Sequence, residues 1–202
     1  MMKLHWSPKS PYVRKVMVCA IELGLEGQID KVRSVAAMLA PNPAIMQDNP
    51  LSKIPTLMPE SGRPLFDSRV ICEYLDDRES GGLFPKQGQA RWDALRWQSF
   101  GDGLLDALIL WRNERERERP LEPLMGAFAL KVDAALGLLE AEATALQESG
   151  LNIGAISIAC ALGYIDYRFE TLGWRSRSAG LAAWHKTFSA RPSMQLTEPA
   201  DG

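Results

Sequence analysis

The sequence predicts two domains of different classes, an α/β domain over residues 1–79 and an all-helical domain over residues 89–202. Short apolar runs separated by proline and glycine fill the first eighty residues, which is typical of strands alternating with short helices. Further along, the strand signals end and apolar residues recur at the spacing of long helices. Residues 80–88 lie between these patterns and are rich in serine, glycine and proline, so they are interpreted as a linker.

The first half of the α/β domain predicts a strand, a helix and a second strand. Residues 3–6 are long enough only for a short strand. Apolar residues at helical spacing then occupy residues 11–23 and stop at Gly24, a residue type that favours helix C-termini. Alternation over residues 29–35 predicts the second strand, and the turn-rich residues 41–50 predict an irregular connection.

The second half of this domain predicts a hairpin followed by a helix. Residues 56–58 and 64–66 are apolar and lie on either side of residues 60–62, a Glu-Ser-Gly sequence suited to a turn between antiparallel strands. Asp67 or Ser68 is placed to cap the helix that follows, because an acidic or hydroxyl side chain accepts hydrogen bonds from the free N–H groups of a first turn. The expected order is therefore two strands and a closing helix.

Glycine and proline divide the second domain into four predicted helices. The breaks fall at Pro120, Gly150, Gly173 and Pro192. The expected helices run over residues 89 to about 119, 121 or 123 to about 148, 153–172 and 179–190.

Composition narrows the range of functions. The net charge of −2 offers no basic field for nucleic acid, so a small-molecule partner is expected. Three scattered cysteines do not make a disulfide framework or a zinc cluster, which favours a reducing compartment. The N-terminal sequence lacks the apolar core of a signal peptide, and no stretch has the roughly 18 apolar residues of a membrane helix. We therefore expect a cytoplasmic protein with no membrane or nucleic-acid partner.

Three segments carry the candidate chemistry. Ser10 and Pro11 stand at the predicted start of the first helix, where a serine followed by a proline already makes a good structural cap. Pro55 comes directly before a strand, and a cis bond after Ile54 would explain a proline at that position. Asp67 and its following serine open a helix, which suits a charged amine beside a carboxylate, although capping alone would account for them.

In this order and spacing, the three segments resemble the glutathione S-transferase family. They are SPYVRKV, NPLSKIPTL and DSRVICEYL, and the resemblance extends over nearly the whole chain, most closely to small bacterial members with a catalytic serine. It implies a thioredoxin-like N-terminal domain, an all-α helical-bundle C-terminal domain, a homodimer, and glutathione as co-substrate without a metal.

The resemblance also assigns roles to individual residues. Ser10 would donate a hydrogen bond to the sulfur of glutathione and hold it as a thiolate. The backbone of Ile54, positioned by cis Pro55, would pair with the cysteinyl part of the tripeptide. Asp67 and Ser68 would bind the γ-glutamyl carboxylate and amine. Ser7, in the loop before the helix, is the alternative hydroxyl for activating the thiol.

The remaining candidate site residues have strong structural alternatives. Lys53 resembles a lysine that reaches the glycine carboxylate in some classes, but a surface lysine in a turn needs no function. Asp106 resembles an aspartate that reaches the γ-glutamyl amine across the dimer, and a solvated helix position is the alternative. Trp111 and Arg112 are assigned to the electrophile pocket. The other large apolar residues on that helix face are expected to be core.

The predicted function is conjugation of the glutathione thiolate to a small hydrophobic electrophile, a detoxifying reaction, with glutathione-dependent reduction of hydroperoxides as a further activity. A non-catalytic, dimeric binding or regulatory module with the same fold is the alternative. A disulfide reductase is disfavoured because no cysteine occupies the position of Ser10. The chain departs from the family at Asn152, which is followed three residues later by Ala155 where relatives have an aspartate that completes the helix cap.

Overall fold

A computed structural model describes residues 1–201 and divides them into two compact units. Unit 1 combines Met1–Lys86 with the segment from Pro192 onward, and unit 2 is Gln87–Arg191. The sequence-based boundaries assign that last segment to the helical domain. In the structure it belongs to unit 1, because the buried Arg14 side chain donates to the carbonyl oxygen of Met194 at 3.0 Å.

A three-stranded mixed sheet forms the centre of unit 1. Its strands are β1 (Met2–Trp6), β2 (Ile29–Arg33) and β3 (Thr56–Met58), in the order β2-β1-β3. β1 is parallel to β2 and antiparallel to β3, with His5 opposite Thr56. The predicted hairpin exists as a single antiparallel bridge in which Leu57 and Leu65 exchange hydrogen bonds of 3.0 and 2.8 Å.

Four helices complete unit 1 within the described residues: α1 (Pro11–Glu22), α2 (Pro43–Met46), α3 (Ser68–Glu79) and α10 (Pro192–Gln195). α1 packs against α3 and α10, and its core-facing side chains are fully buried. The chain leaves α3 along a fixed path, because the buried Asp76 carboxylate accepts from the backbone N–H groups of Leu83 and Phe84 at 2.7 and 3.1 Å.

Unit 2 is built from helices joined by short connections. Its helices are α4 (Gly88–Arg115), α5 (Glu122–Ala141), α6 (Ala143–Ser149), α7 (Ile153–Arg168), α8 (Trp174–Arg177) and α9 (Ala179–Ser189). The helix predicted to reach residue 148 is interrupted at Glu142, which leaves helical geometry and accepts from the Trp97 indole N–H at 2.6 Å. The third predicted helix ends at Arg168 and is followed by only a short 3₁₀ turn.

α7 forms the core of unit 2 and packs mainly against α4. All residues from Ile153 to Ile165 are buried, which explains why this helix is apolar on every side. Its N-terminus is capped by Asn152, whose Oδ1 accepts from the N–H of Ala155 at 3.0 Å. None of the helices within residues 1–201 has the length and apolar character needed to cross a membrane.

Replacing Asn152 by alanine is expected to destabilise the protein by about 1 kcal/mol, the usual cost of losing a helix cap. The buried N–H of Ala155 would lose its acceptor. Chemical denaturation of the wild type and the variant measures this difference in the free energy of unfolding. Asn152→Asp keeps an accepting oxygen and should recover most of the loss; equal stability of Asn152→Ala and the wild type would contradict the role of the cap.

Candidate active site

Strand register brings three of the predicted segments together at one edge of the unit 1 sheet. The pairing of His5 with Thr56 puts the end of β1 level with Pro55. The bridge between Leu57 and Leu65 is antiparallel, so two residues before Leu57 correspond to two residues after Leu65. This places Asp67 level with Pro55 as well. The loop that follows β1, the turn before β3 and the start of α3 therefore meet at this edge.

Ser10 is the N-cap of α1, as predicted. Its backbone is extended, with φ −87° and ψ 118°, and its Oγ accepts from the Val13 N–H at 3.3 Å. A hydroxyl that accepts this hydrogen bond still has its own proton to donate. The first turn of α1 contains no acidic side chain, so the partial positive charge of the helix N-terminus is not neutralised there. A thiolate beside Ser10 would find both a hydrogen-bond donor and a favourable potential.

Ser7 lies in the loop between β1 and α1 and is oriented differently. Its Oγ accepts from the Lys9 N–H at 3.4 Å, and its carbonyl oxygen accepts from the Ser10 N–H at 3.3 Å. Ser7 also lines a cavity of about 160 Å³ that is bounded on one side by the C-terminal segment around Thr197. Ser7 is thus not at the start of α1. Ser10 is preferred because it does lie at the helix start.

The turn before β3 has the predicted cis peptide bond between Ile54 and Pro55. Pro55 is buried, Ile54 is half-buried and Lys53 is exposed. Ile54 and Pro55 directly precede β3, so the backbone of Ile54 lies where β1 ends and β3 begins. An extended peptide could pair with this backbone segment through main-chain hydrogen bonds.

Asp67 and Ser68 open α3, where unpaired N–H groups favour negative charge. Asp67 is the N-cap and its Oδ1 accepts from the Arg69 N–H at 2.9 Å, while Ser68 is buried. The Asp67 side chain remains exposed, and its peptide bond to Phe66 is cis. An exposed carboxylate next to a helix N-terminus can bind an ammonium group and a carboxylate side by side.

The remaining candidates belong to unit 2. Asp106 is an exposed residue of α4. Trp111 is buried against Phe169, with ring centroids 5.0 Å apart, and Arg112 is half-buried. Three of the neighbouring apolar residues predicted as core are buried, namely Trp97, Leu104 and Leu108, while Phe100 is half-buried.

The residue that fixes the turn before β3 was not among those predicted from the sequence. Asn49 is buried, and its Nδ2 donates to the Lys53 carbonyl at 3.3 Å and to Thr56 Oγ1 at 3.0 Å. Its Oδ1 accepts from the Leu51 N–H at 3.1 Å. One side chain therefore holds both ends of the turn that carries Ile54. The signal was present in the motif, since an asparagine four residues before the turn is a typical side-chain partner for loop backbone.

A second polar group lies next to this turn. His5 Nε2 is 2.9 Å from Asp48 Oδ2 and His5 Nδ1 is 2.8 Å from Ser34 Oγ, with the imidazole buried. His5 therefore ties the end of β1 to the residue preceding Asn49. The three cysteines are buried and free of disulfides.

Asn49→Ala is expected to lower stability by about 1–3 kcal/mol, because buried backbone groups would lose their partners. If the turn binds glutathione, the variant should also raise the KM for glutathione, while the pKa of the bound thiol should change little because Ser10 is untouched. Thermal unfolding and steady-state kinetics measure the two effects. Asn42→Ala, which removes an exposed cap from α2 instead, is the matched control; the same KM increase in that variant would contradict a specific role for Asn49.

The chain belongs to the glutathione S-transferase family. A family model described as the glutathione S-transferase N-terminal domain matches residues 9–78. A glutathione transferase family member from Pseudomonas fluorescens Pf-5, solved with bound glutathione, is 44% identical with a TM-score of 0.95, and the match covers all of both chains.

A further structure and a further relative agree with this assignment. A structure of a family member from the same organism with bound S-(propanoic acid)-glutathione is 42% identical with a TM-score of 0.91, over 99% of this chain and 100% of that chain. The uncharacterized GST-like protein YibF of Escherichia coli K12 is 29% identical, over 98% of each chain.

Proposed function

We propose that this protein is a glutathione transferase in which Ser10 stabilises the thiolate of glutathione for attack on a small hydrophobic electrophile. The observation that carries the proposal is the position of Ser10 as the cap of α1, with a hydroxyl proton to donate and with cis Pro55 and Asp67 at the same sheet edge. Relatives that are 42–44% identical bind glutathione or an S-substituted glutathione, which supports the same ligand here.

The local interactions are strong enough to ionise the thiol near neutral pH. Lowering a free thiol pKa of about 8.5 by two units requires about 2.7 kcal/mol. A hydrogen bond to a charged group contributes about 1.5–3 kcal/mol, and a helix N-terminus about 0.3–1 kcal/mol. Ser10 and the start of α1 can thus supply the stabilisation without a metal ion.

Each part of the tripeptide has a proposed partner. The backbone of Ile54 pairs with the cysteinyl residue, Asp67 and Ser68 bind the γ-glutamyl carboxylate and amine, and Lys53 binds the glycine carboxylate. Asp106 reaches the γ-glutamyl amine from a second subunit of a homodimer. Three exposed apolar side chains are available for a second subunit to cover; they are Phe66, Val70 and Trp92.

The proposed reaction is a substitution or an addition at carbon. The thiolate attacks the electrophilic carbon, a carbon–sulfur bond forms, and the bond to a leaving group such as chloride breaks with its electron pair. At an activated double bond, water instead supplies a proton to the adjacent carbon. Trp111 and Arg112 are proposed to contact the electrophile.

A thermal shift with reduced glutathione, followed by ultraviolet detection of the bound thiolate, tests the first step. Conjugation of a halogenated arene and reduction of an organic hydroperoxide then test catalysis. Turnover of either substrate supports an enzyme, and the cytoplasm, where glutathione is reduced, is its proposed location. Glutathione binding without turnover of either substrate would instead establish the non-catalytic module.

A further inference from the structure

A cluster of hydrogen-bond donors lies between the C-terminal half of α4 and the last turns of α7. Arg112 Nη1 donates to Tyr164 Oη at 3.1 Å, and Arg112 Nη2 donates to Asn113 Oδ1 at 2.8 Å. Tyr164 is 1% exposed, and the Arg112 side chain is 26% exposed. The guanidinium group is therefore held in a fixed orientation and is largely withdrawn from water.

Two buried N–H groups at this position have no acceptor among residues 1–201. One is Arg112 Nε; the carboxylate oxygen it faces, Glu116 Oε1, is 3.7 Å away, which is beyond hydrogen-bond distance. The other is the indole Nε1 of Trp111, the preceding residue, which is 8% exposed. Buried N–H groups in folded proteins are nearly always hydrogen-bonded, so these two call for an acceptor from outside the chain.

The charges around Tyr164 favour an anionic acceptor. Burial is the largest cause and raises the pKa of Tyr164; Arg112 and Arg168 lower it, and the Glu116 carboxylate raises it by the smallest amount. The phenol therefore stays protonated, and because its oxygen accepts from Arg112 its proton is directed elsewhere. A guanidinium beside a neutral hydroxyl offers the donors that a carboxylate binds best.

We propose that Arg112 and Tyr164 bind a carboxylate of the electrophile, so that the preferred co-substrates combine an apolar body with an anionic group. This inference rests on the proposed function, in which Trp111 and Arg112 contact the electrophile. Arg112 supplies the charge and its Nε–H, and Tyr164 supplies a hydroxyl donor. An electrophile without an acceptor would leave these donors unpaired and would be selected against.

The test compares a chlorodinitrobenzoate with its methyl ester, since the two differ only in the anionic group and lose the same chloride. Arg112→Gln should lower kcat/KM for the benzoate by about tenfold to a hundredfold, the loss expected for a hydrogen bond to a charged group. For the ester, which offers no negative charge to the guanidinium, kcat/KM should fall by a clearly smaller factor than for the benzoate. Tyr164→Phe should give a smaller selective loss, and Arg112→Lys should recover part of the activity.

Arg119→Gln is the matched control, because it removes a positive charge from an exposed residue just beyond α4. Equal losses for both substrates in Arg112→Gln would mean that the residue only supports packing, and would overturn the inference. Turnover of the ester that depends on Ser10, without any preference for the benzoate, would leave the transferase function standing and refute the anionic subsite. If neither compound reacts, binding of the two glutathione conjugates is compared by tryptophan fluorescence; tighter binding of the carboxylate that is lost in Arg112→Gln supports the subsite, and equal binding refutes it.

Discussion

Replacing Ser10 by alanine is expected to reduce glutathione conjugation by about ten- to a thousandfold, as the loss of one donor to a developing or stabilised anion does. The methyl group of alanine cannot donate to sulfur, so the pKa of the bound thiol should rise by about one to two units. In a plot of conjugation rate against pH, the rising limb should move to higher pH by the same amount. Ultraviolet titration of the protein–glutathione complex measures the thiol pKa directly.

The same substitution removes the cap from α1, because Ser10 Oγ also accepts from the Val13 N–H. Cap loss lowers stability by about 1 kcal/mol but does not by itself change the thiol pKa. Ser10→Thr keeps the hydroxyl and should keep a low thiol pKa, and Ser7→Ala is the matched control. An unchanged thiol pKa in Ser10→Ala, together with a raised value in Ser7→Ala, would transfer the role to Ser7.

Gly101→Ala is expected to destabilise unit 2 strongly. A Cβ at Gly101 would lie 2.8 Å from the carbonyl carbon of Ser157 and 2.9 Å from its oxygen, so the backbones of α4 and α7 would have to separate. Overpacking of this kind costs about 1–3 kcal/mol. Since about 1 kcal/mol shifts Tm by about 2–4 °C in a protein of this size, calorimetry should resolve the loss.

Gly103→Ala on the same helix is the matched control. No atom lies within 4 Å of a Cβ built at Gly103, so this change only raises helix propensity. It should stabilise the protein by about 0.5–1 kcal/mol. A stabilising Gly101→Ala would show that α4 and α7 are not held as close as the structure has them.

Local patterns predicted most elements of the fold because each depends on neighbouring residues. The apolar spacing of residues 11–23 and the cap at Ser10 gave α1 to within a residue or two. Glu142 was missed because nothing in its local sequence breaks a helix; its carboxylate binds Arg96 and Trp97, which lie far away in sequence. The grouping of the C-terminal segment with unit 1 likewise has no local signal, since its contact with Arg14 spans most of the chain.

Some residues of the candidate site were likewise predicted from the sequence, and others were not. Ser10, Pro55 and Asp67 were identified from motifs, and the cis bond was predicted from a proline placed before a strand. Asn49 was not identified: its residue type is a common partner for loop backbone, but which three groups it bonds depends on the shape of the turn, which the sequence does not specify.

The sequence by itself determined the two classes of domain, the helix caps and the family, since these follow from residue types at short, fixed spacings. Only the tertiary structure decided that the end of β1, the start of β3 and the start of α3 lie at the same side of the sheet, because strand register sets that arrangement. Packing of α4 on α7 likewise decided that Arg112 contacts Tyr164, which is 52 residues further along the chain. Contacts between segments distant in sequence depend on the packing of the whole unit, which no local pattern encodes.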